Sequence, residues 1–161
     1  MKLHTSNRAV MAGIGLVFMA ALGSSVFASE WETDFEKASK DAAKSGSYLL
    51  LDFSGSDWCG WCVRLEKEVF SKPEFKEFAK KNLVCVLLDF PRSKAQSKEL
   101  KEQNTGLARK FEIRGYPTVL ILAPDGSLVA RTGYQQGGPA KYVQHLKGLI
   151  DEHKKKTPPA K

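Results

Sequence analysis

The stretch Ser54–Val69, SGSDWCGWCVRLEKEV, carries Cys59 and Cys62, separated by Gly60-Trp61 and preceded by Trp58. Three chemistries compete for such a pair. A structural zinc site wants four ligands, commonly including a second cysteine pair. The chain offers one further cysteine, Cys85, and His145 and His153 fall in a terminal segment whose inner face is needed for packing. An inert staple gains little, because closing so short a loop removes little unfolded-state entropy.

Thiol–disulfide exchange accounts for each feature. A cysteine at a helix start meets unpaired backbone N–H groups and the positive end of the helix dipole. Both stabilise a thiolate at Cys59, and such thiols fall from about 8.5 into a range of roughly 3.5–7.5. Two intervening residues set Cys62 one turn deeper, within disulfide reach. Cys59 is then the exposed, attacking thiol and Cys62 the shielded one that resolves a mixed disulfide. Trp58 and Trp61 read either as ordinary packing or, the reading favoured here, as apolar docking surface around the exposed thiol.

Elements must position this pair. Thr33-Asp34-Phe35-Glu36 has the form of a capping box, with Phe35, Ala38 and Ala42 at helical spacing and Gly46 to close the helix. Tyr48–Phe53 (YLLLDF) is a nearly continuous apolar run, as in a strand covered on both faces. A helix follows from about Cys59 to Val69, and Ser71-Lys72-Pro73-Glu74 reads as a second capping box, opening a helix to about Lys81. Leu83–Phe90 is a second buried strand, and Ser97–Phe111 a helical segment expected to break near Asn104–Gly106. Thr118–Leu122 and Leu128–Arg131 form a hairpin around Pro124-Asp125-Gly126. Gly138-Pro139 opens a last helix with Tyr142, Leu146, Leu149 and Ile150 on one face. The alternation argues an α/β fold: a mixed central sheet containing a parallel pair, a C-terminal β-hairpin, and helices on both faces.

The chain divides into three parts. Lys2 and Arg8, an uncharged run from Ala9 to Leu22, and Val26-Phe27-Ala28 are the three parts of a secretory signal peptide over residues 1–28. The run is shorter than the roughly 20 residues that span a bilayer, so the expected product is exported, periplasmic or secreted, with no membrane attachment after cleavage. The domain is expected over 29–153, with a disordered basic tail over 154–161. The net charge of +7 shows no clustering of Lys and Arg with aromatics on one element, which argues against nucleic acid.

With these elements in place, the chain resembles the thioredoxin family over nearly all of its mature part. Trp58-Cys59-Gly60-Trp61-Cys62 is similar to the family's Trp-Cys-x-x-Cys motif, and Ile113-Arg114-Gly115-Tyr116-Pro117-Thr118 to the segment holding its cis-proline. The resemblance implies a thioredoxin-like fold, a redox-active Cys59–Cys62 disulfide, a cis Pro117, and a substrate groove shaped by Trp58, Trp61, Tyr116 and Pro117. It also implies that Asp52 is a buried carboxylate accepting a proton from Cys62; a bare strand-end Asp reads as a cap or turn residue. Four departures stand out. Gly-Trp replaces the usual Gly-Pro, Ser54–Asp57 makes the loop to Cys59 one residue longer, and Pro91–Gly106 is also extended. Cys85 takes the place of the lysine near the carboxylate.

The expected activity is thiol–disulfide oxidoreduction of protein disulfides, direction open, by a monomer working with a partner redox protein and without metal or organic cofactor. The alternatives are a disulfide isomerase or oxidase of the same fold, or a secreted binding module with an idle disulfide.

Overall fold

A computed structural model describes residues 31–157. The expected leader, 1–28, lies outside the described residues. Helix α1 (Phe35–Ser45) leads to strand β1 (Tyr48–Ser54), helix α2 (Gly60–Leu65) running directly into a π turn (Glu66–Phe70), helix α3 (Pro73–Asn82) and strand β2 (Leu83–Asp89). Helix α4 (Lys98–Lys110), strands β3 (Thr118–Leu122) and β4 (Leu128–Thr132), and helix α5 (Gly138–Lys156) complete it. The sheet order is β2-β1-β3-β4, with β1 parallel to β2 and antiparallel to β3, and β3 antiparallel to β4.

β1 is central, and every one of its residues is buried. Its alternation divides the core in two. Tyr48 and Leu50 join Cys85, Val119 and Ile121 in a layer under α2, α3 and α5, where Leu65, Phe75, Tyr142 and Leu146 pack. Leu49, Leu51 and Phe53 join Val86, Leu88 and Leu120 under α1 and α4, through Ala38, Ala42, Leu107 and Phe111. Removing a buried leucine side chain from either layer costs about 2–5 kcal/mol.

Local details correct the sequence reading. The N-cap of α1 is Asp34, not Thr33: its carboxylate accepts the Lys37 N–H at 2.9 Å. Lys72 caps α3 without a side-chain bond, and the Pro73 ring sets the first turn instead; the Ser71 hydroxyl donates backwards to Lys67 O at 3.1 Å. α4 does not break at Asn104–Gly106. Asn104 is buried and donates to Asp89 O at 3.0 Å, while Gln103 binds Thr33 O and Phe35 N. These tertiary bonds offset the roughly 1 kcal/mol that Gly106 costs in a helix interior. Lys154–Lys156, expected in the tail, form the last turn of α5, where positive charge complements the helix dipole; the rest of the expected tail, 158–161, lies outside the described residues. Val143 rather than Leu149 completes the buried face of α5.

One pairing had no sequence signal. Glu32 forms a parallel bridge with Val86, its N–H donating to Cys85 O at 2.9 Å and its O accepting from Leu87 N at 2.8 Å. Trp31 beside it packs on Phe70, with ring centroids 4.9 Å apart. The open edge of β2 is thereby covered.

Candidate functional site

Cys59 is the N-cap of α2. Its backbone is extended (φ −88°, ψ 100°), and its Sγ accepts the Cys62 N–H at 3.2 Å. The two cysteines form a disulfide with Cα atoms 5.2 Å apart. The expected contrast of an exposed and a shielded thiol is small in this oxidised form, because the capping geometry turns the Cys59 sulfur back over the helix end: the residues are 7% and 3% exposed. Beyond α2 the helix loosens into the π turn, where Ser71 N–H reaches back five residues to Glu66 O at 2.9 Å.

Asp52 lies in β1, the strand that leads into the loop before the pair. It pairs with Val119 across β1–β3 and therefore points to the face covered by α2 and α5. Asp52 is 5% exposed, and its Oδ1 has no hydrogen-bond partner. A carboxylate in such a place takes up a proton rather than stay charged. Burial, with smaller contributions from Glu66 and Asp89, pushes Asp52 up to about 8. Glu66 itself is raised by burial, with Lys76 acting in the opposite sense. The same buried layer holds Cys85, pushed up to about 12 by burial and then by Asp52, and Tyr142, whose hydroxyl donates to Gly133 O at 3.2 Å. A strand-end cap or turn residue would face water; Asp52 does not.

The two tryptophans are exposed, at 37% for Trp58 and 54% for Trp61, and each is held from one side. The Trp58 indole N–H donates to Phe90 O at 2.8 Å, its edge meets Tyr116 at 5.6 Å, and the Arg92 guanidinium lies 4.0 Å over its ring. Gly55 is required beneath it: a Cβ there would come 2.5 Å from Trp58 Cε2. Trp61 leans on Tyr134 at 5.2 Å, with the Arg64 guanidinium 5.4 Å from Trp61 and 5.3 Å from Tyr134. Glu68 fixes that pair by accepting from Arg64 Nε at 2.7 Å and from Tyr134 OH at 2.6 Å.

The segment Ser54–Asp57 and the one that follows β2 hold each other. The Asp57 carboxylate accepts from Ser93 N (2.7 Å), Ser93 Oγ (2.6 Å) and Arg92 N (3.0 Å). The Ser93 hydroxyl, then the Arg92 and Ser93 amides, hold it well below the usual carboxylate range. Asp89 in turn accepts from Ser56 N at 2.9 Å and Ser56 Oγ at 2.6 Å. The loop before Cys59 is thus laced to the end of β2 and the loop after it.

The Tyr116–Pro117 peptide is cis. Gly133 lies against it, since a Cβ there would meet Pro117 O at 3.0 Å. Among the described residues no cluster of His, Cys, Asp and Glu could hold a metal. His145 binds Thr132 Oγ1 at 2.9 Å and His153 binds Tyr48 OH at 3.0 Å.

The structure thus sets Trp58, beside the Cys59–Cys62 disulfide, against Tyr116 and the cis Pro117 peptide, turns Trp61 onto Tyr134, and buries Asp52 in β1. Sequence reasoning missed Phe90, Arg92, Tyr134, Glu66 and the Arg64–Glu68 pair. Only the last had a signal, its i,i+4 spacing on the helix.

Comparison with known proteins agrees with this geometry. Residues 35–149 match the family model described as a thioredoxin-like domain. The disulfide bond reductase DsbH of Chlamydia pneumoniae is 31% identical over 121 residues, covering 75% of this chain and 72% of that protein. The thioredoxin-related protein DsbJ of the same organism is 32% identical over 103 residues, but this chain spans only 30% of its length. Among solved structures, the DsbH oxidoreductase superposes with a TM-score of 0.73 at 31% identity, covering 76% of this chain and 84% of that one. A thioredoxin from Thermus thermophilus shares the fold, with a TM-score of 0.57 at 18% identity over 75% of this chain and 86% of that one. With a redox-capable cysteine pair at the head of α2 and these relatives, the chain belongs to the thioredoxin-like family and is a thiol–disulfide oxidoreductase.

Proposed function

We propose that the protein reduces disulfides of other proteins outside the cytoplasm. The carrying observation is the Cys59–Cys62 disulfide capping α2, together with a buried, unpartnered Asp52 on the strand that leads to it. The reductive direction is supported by the likeness to DsbH, whose name is that of a disulfide bond reductase. The location is supported by the charged start, apolar run and small-residue end of residues 1–28, read as a cleaved leader. No described helix is long and apolar enough to cross a membrane.

In the proposed cycle the reduced Cys59 thiolate attacks one sulfur of a substrate disulfide. The Cys59–substrate bond forms, the substrate S–S bond breaks, and the leaving thiolate takes a proton from water. The Cys62 thiol then gives its proton to Asp52 and attacks Cys59 Sγ, releasing the second substrate thiolate and forming the Cys59–Cys62 disulfide. Two electrons have passed to the substrate, and a dithiol partner protein restores the pair by the reverse exchange, with Asp52 returning the proton. A carboxyl near 8 suits both directions, because neither protonation state is far out of reach at neutral pH. Trp58, Trp61, Tyr116 and Pro117 form the surface on which the substrate chain docks, and the protein acts as a monomer.

The test is the reduction potential of the Cys59–Cys62 couple, together with dithiol-driven reduction of a model protein disulfide. A potential of roughly −270 to −230 mV with active reduction is expected for a reductase. A potential near about −120 mV, as in a strong oxidant, overturns the direction. Failure to exchange with any dithiol or disulfide overturns the reading altogether.

A further inference from the structure

Beside the site runs an open groove of about 500 Å³ whose apolar side is built by Phe90, Ile113 and Tyr116. Tyr116 joins it to the cysteine pair: the residue precedes the cis Pro117, and its ring contacts Phe90 at 5.3 Å and Trp58 at 5.6 Å. Arg109 and Arg114 line the groove, and Arg92 lies over Trp58 at its head. All three arginines are exposed. None of them forms an ion pair among the described residues, where the ion pairs lie on α1, α2 and α4 surfaces elsewhere. Glu112 is the one acidic residue lining the groove. Three unpaired guanidinium groups against one carboxylate, beside an apolar wall, make a surface that complements alternating acidic and apolar side chains.

We propose that this groove selects the partner: it receives an acidic, apolar-containing polypeptide segment adjacent to the partner's reactive cysteine. The inference deepens the redox reading above and rests on it. A substrate chain joined at Cys59 passes Trp58, enters the groove at Tyr116, sets apolar side chains against Phe90 and Ile113, and presents its carboxylates to Arg92, Arg109 and Arg114. The arginines do not act on the sulfur chemistry. They raise the encounter rate and hold the register, as charges at an interface rim do.

Two measurements test this. The first compares reduction of two disulfide peptides of equal length, one carrying Glu-Leu and the other Lys-Leu repeats beside the cysteine. Exposed pairs of this kind are each worth about two- to fivefold at most, so kcat/KM should favour the acidic peptide by about tenfold at low salt. The preference should shrink as the Debye length falls from about 30 Å to about 8 Å. The double variant Arg109→Glu with Arg114→Glu should invert the order, and Arg109→Gln with Arg114→Gln should abolish it and guard against misfolding of the first. Reduction of the small neutral hydroxyethyl disulfide should be unchanged in both. The second measurement is binding of a cysteine-free Glu-Leu peptide to the oxidised protein, followed by tryptophan fluorescence, which needs no catalysis. Equal rates for the two peptides with no binding overturn the groove assignment while leaving the redox reading intact. Loss of hydroxyethyl disulfide reduction by the unaltered protein overturns the redox reading instead, and peptide binding then still reports on the groove.

Discussion

Asp52 and Cys85 lie on adjacent parallel strands and face the same buried layer of the sheet. Leu50 is the register partner of Cys85, and Asp52 follows Leu50 by one side-chain repeat on that face. A carboxyl and a thiol share this buried layer, and among the described residues no positive group lowers the titration of either one. Burial disfavours ionisation of both, and Asp52 adds to the rise at Cys85, while Glu66 and Asp89 add to the rise at Asp52. The resemblance implied a carboxylate on an exchange path; the packing adds a second titratable group, kept neutral, beside it.

Asp52 should make stability depend on pH in an unusual direction. Its folded value, near 8, is raised above its unfolded value of 3.8. Between these limits the folded chain holds a proton that the unfolded chain has released, so stability falls as pH rises through the window. Asp52→Asn should remove that slope and add a few kcal/mol near pH 8, with little change near pH 4, in urea denaturation curves. The same variant should slow disulfide exchange several-fold. Glu66→Gln should bring the Asp52 titration down, because it removes a nearby negative charge. A stability slope unchanged in Asp52→Asn would show that Asp52 titrates normally.

Cys85 should behave as a small apolar residue. It is 6% exposed and its thiol is held protonated. Cys85→Ala should keep full exchange activity and lose about 1 kcal/mol from packing. In the native oxidised protein one thiol should react with a thiol reagent, and only after denaturation. Rapid labelling in the folded state, or a dimer on a non-reducing gel, would make it a functional thiol.

Cys59 and Cys62 should differ on mutation despite their similar burial when oxidised. Cys59→Ser should abolish reduction of a protein disulfide. Cys62→Ser should leave attack intact and trap a mixed disulfide with substrate, visible by mass spectrometry and released by excess dithiol. Near-full activity in Cys59→Ser would reverse the assignment.

Gly55 is a direct handle on Trp58. A methyl group at this position meets the indole at 2.5 Å, so Gly55→Ala should push the ring off Phe90 O and away from Arg92. The cost is about 1 kcal/mol for the lost hydrogen bond. Trp58 emission should shift to the red, and protein disulfide reduction should fall several-fold with hydroxyethyl disulfide reduction nearly unchanged. Equal losses on both substrates would mean that Trp58 supports the cysteine pair rather than docking.

The sequence by itself determined the strands, the sheet's parallel pair and hairpin, and the cysteine pair's place at a helix start. These are carried by local patterns: nearly continuous apolar runs at Tyr48–Phe53 and Leu83–Phe90, the Pro124-Asp125-Gly126 turn, and two cysteines three positions apart. Family resemblance carried the expectation of a cis Pro117 and a buried Asp52. Only the tertiary structure decided what depends on residues distant in the chain. Asn104 sits in a segment that reads as a helix break, yet α4 continues because Asp89 O waits for its amide across a strand and a loop. Asp57 looks like part of a surface insertion, yet it organises the Arg92–Ser93 backbone that faces it. Trp61 and Tyr134 are separated by most of the domain and meet over Arg64. A hydrogen bond or a ring contact between distant segments leaves no period in either one, so it becomes legible only when the sheet brings them together.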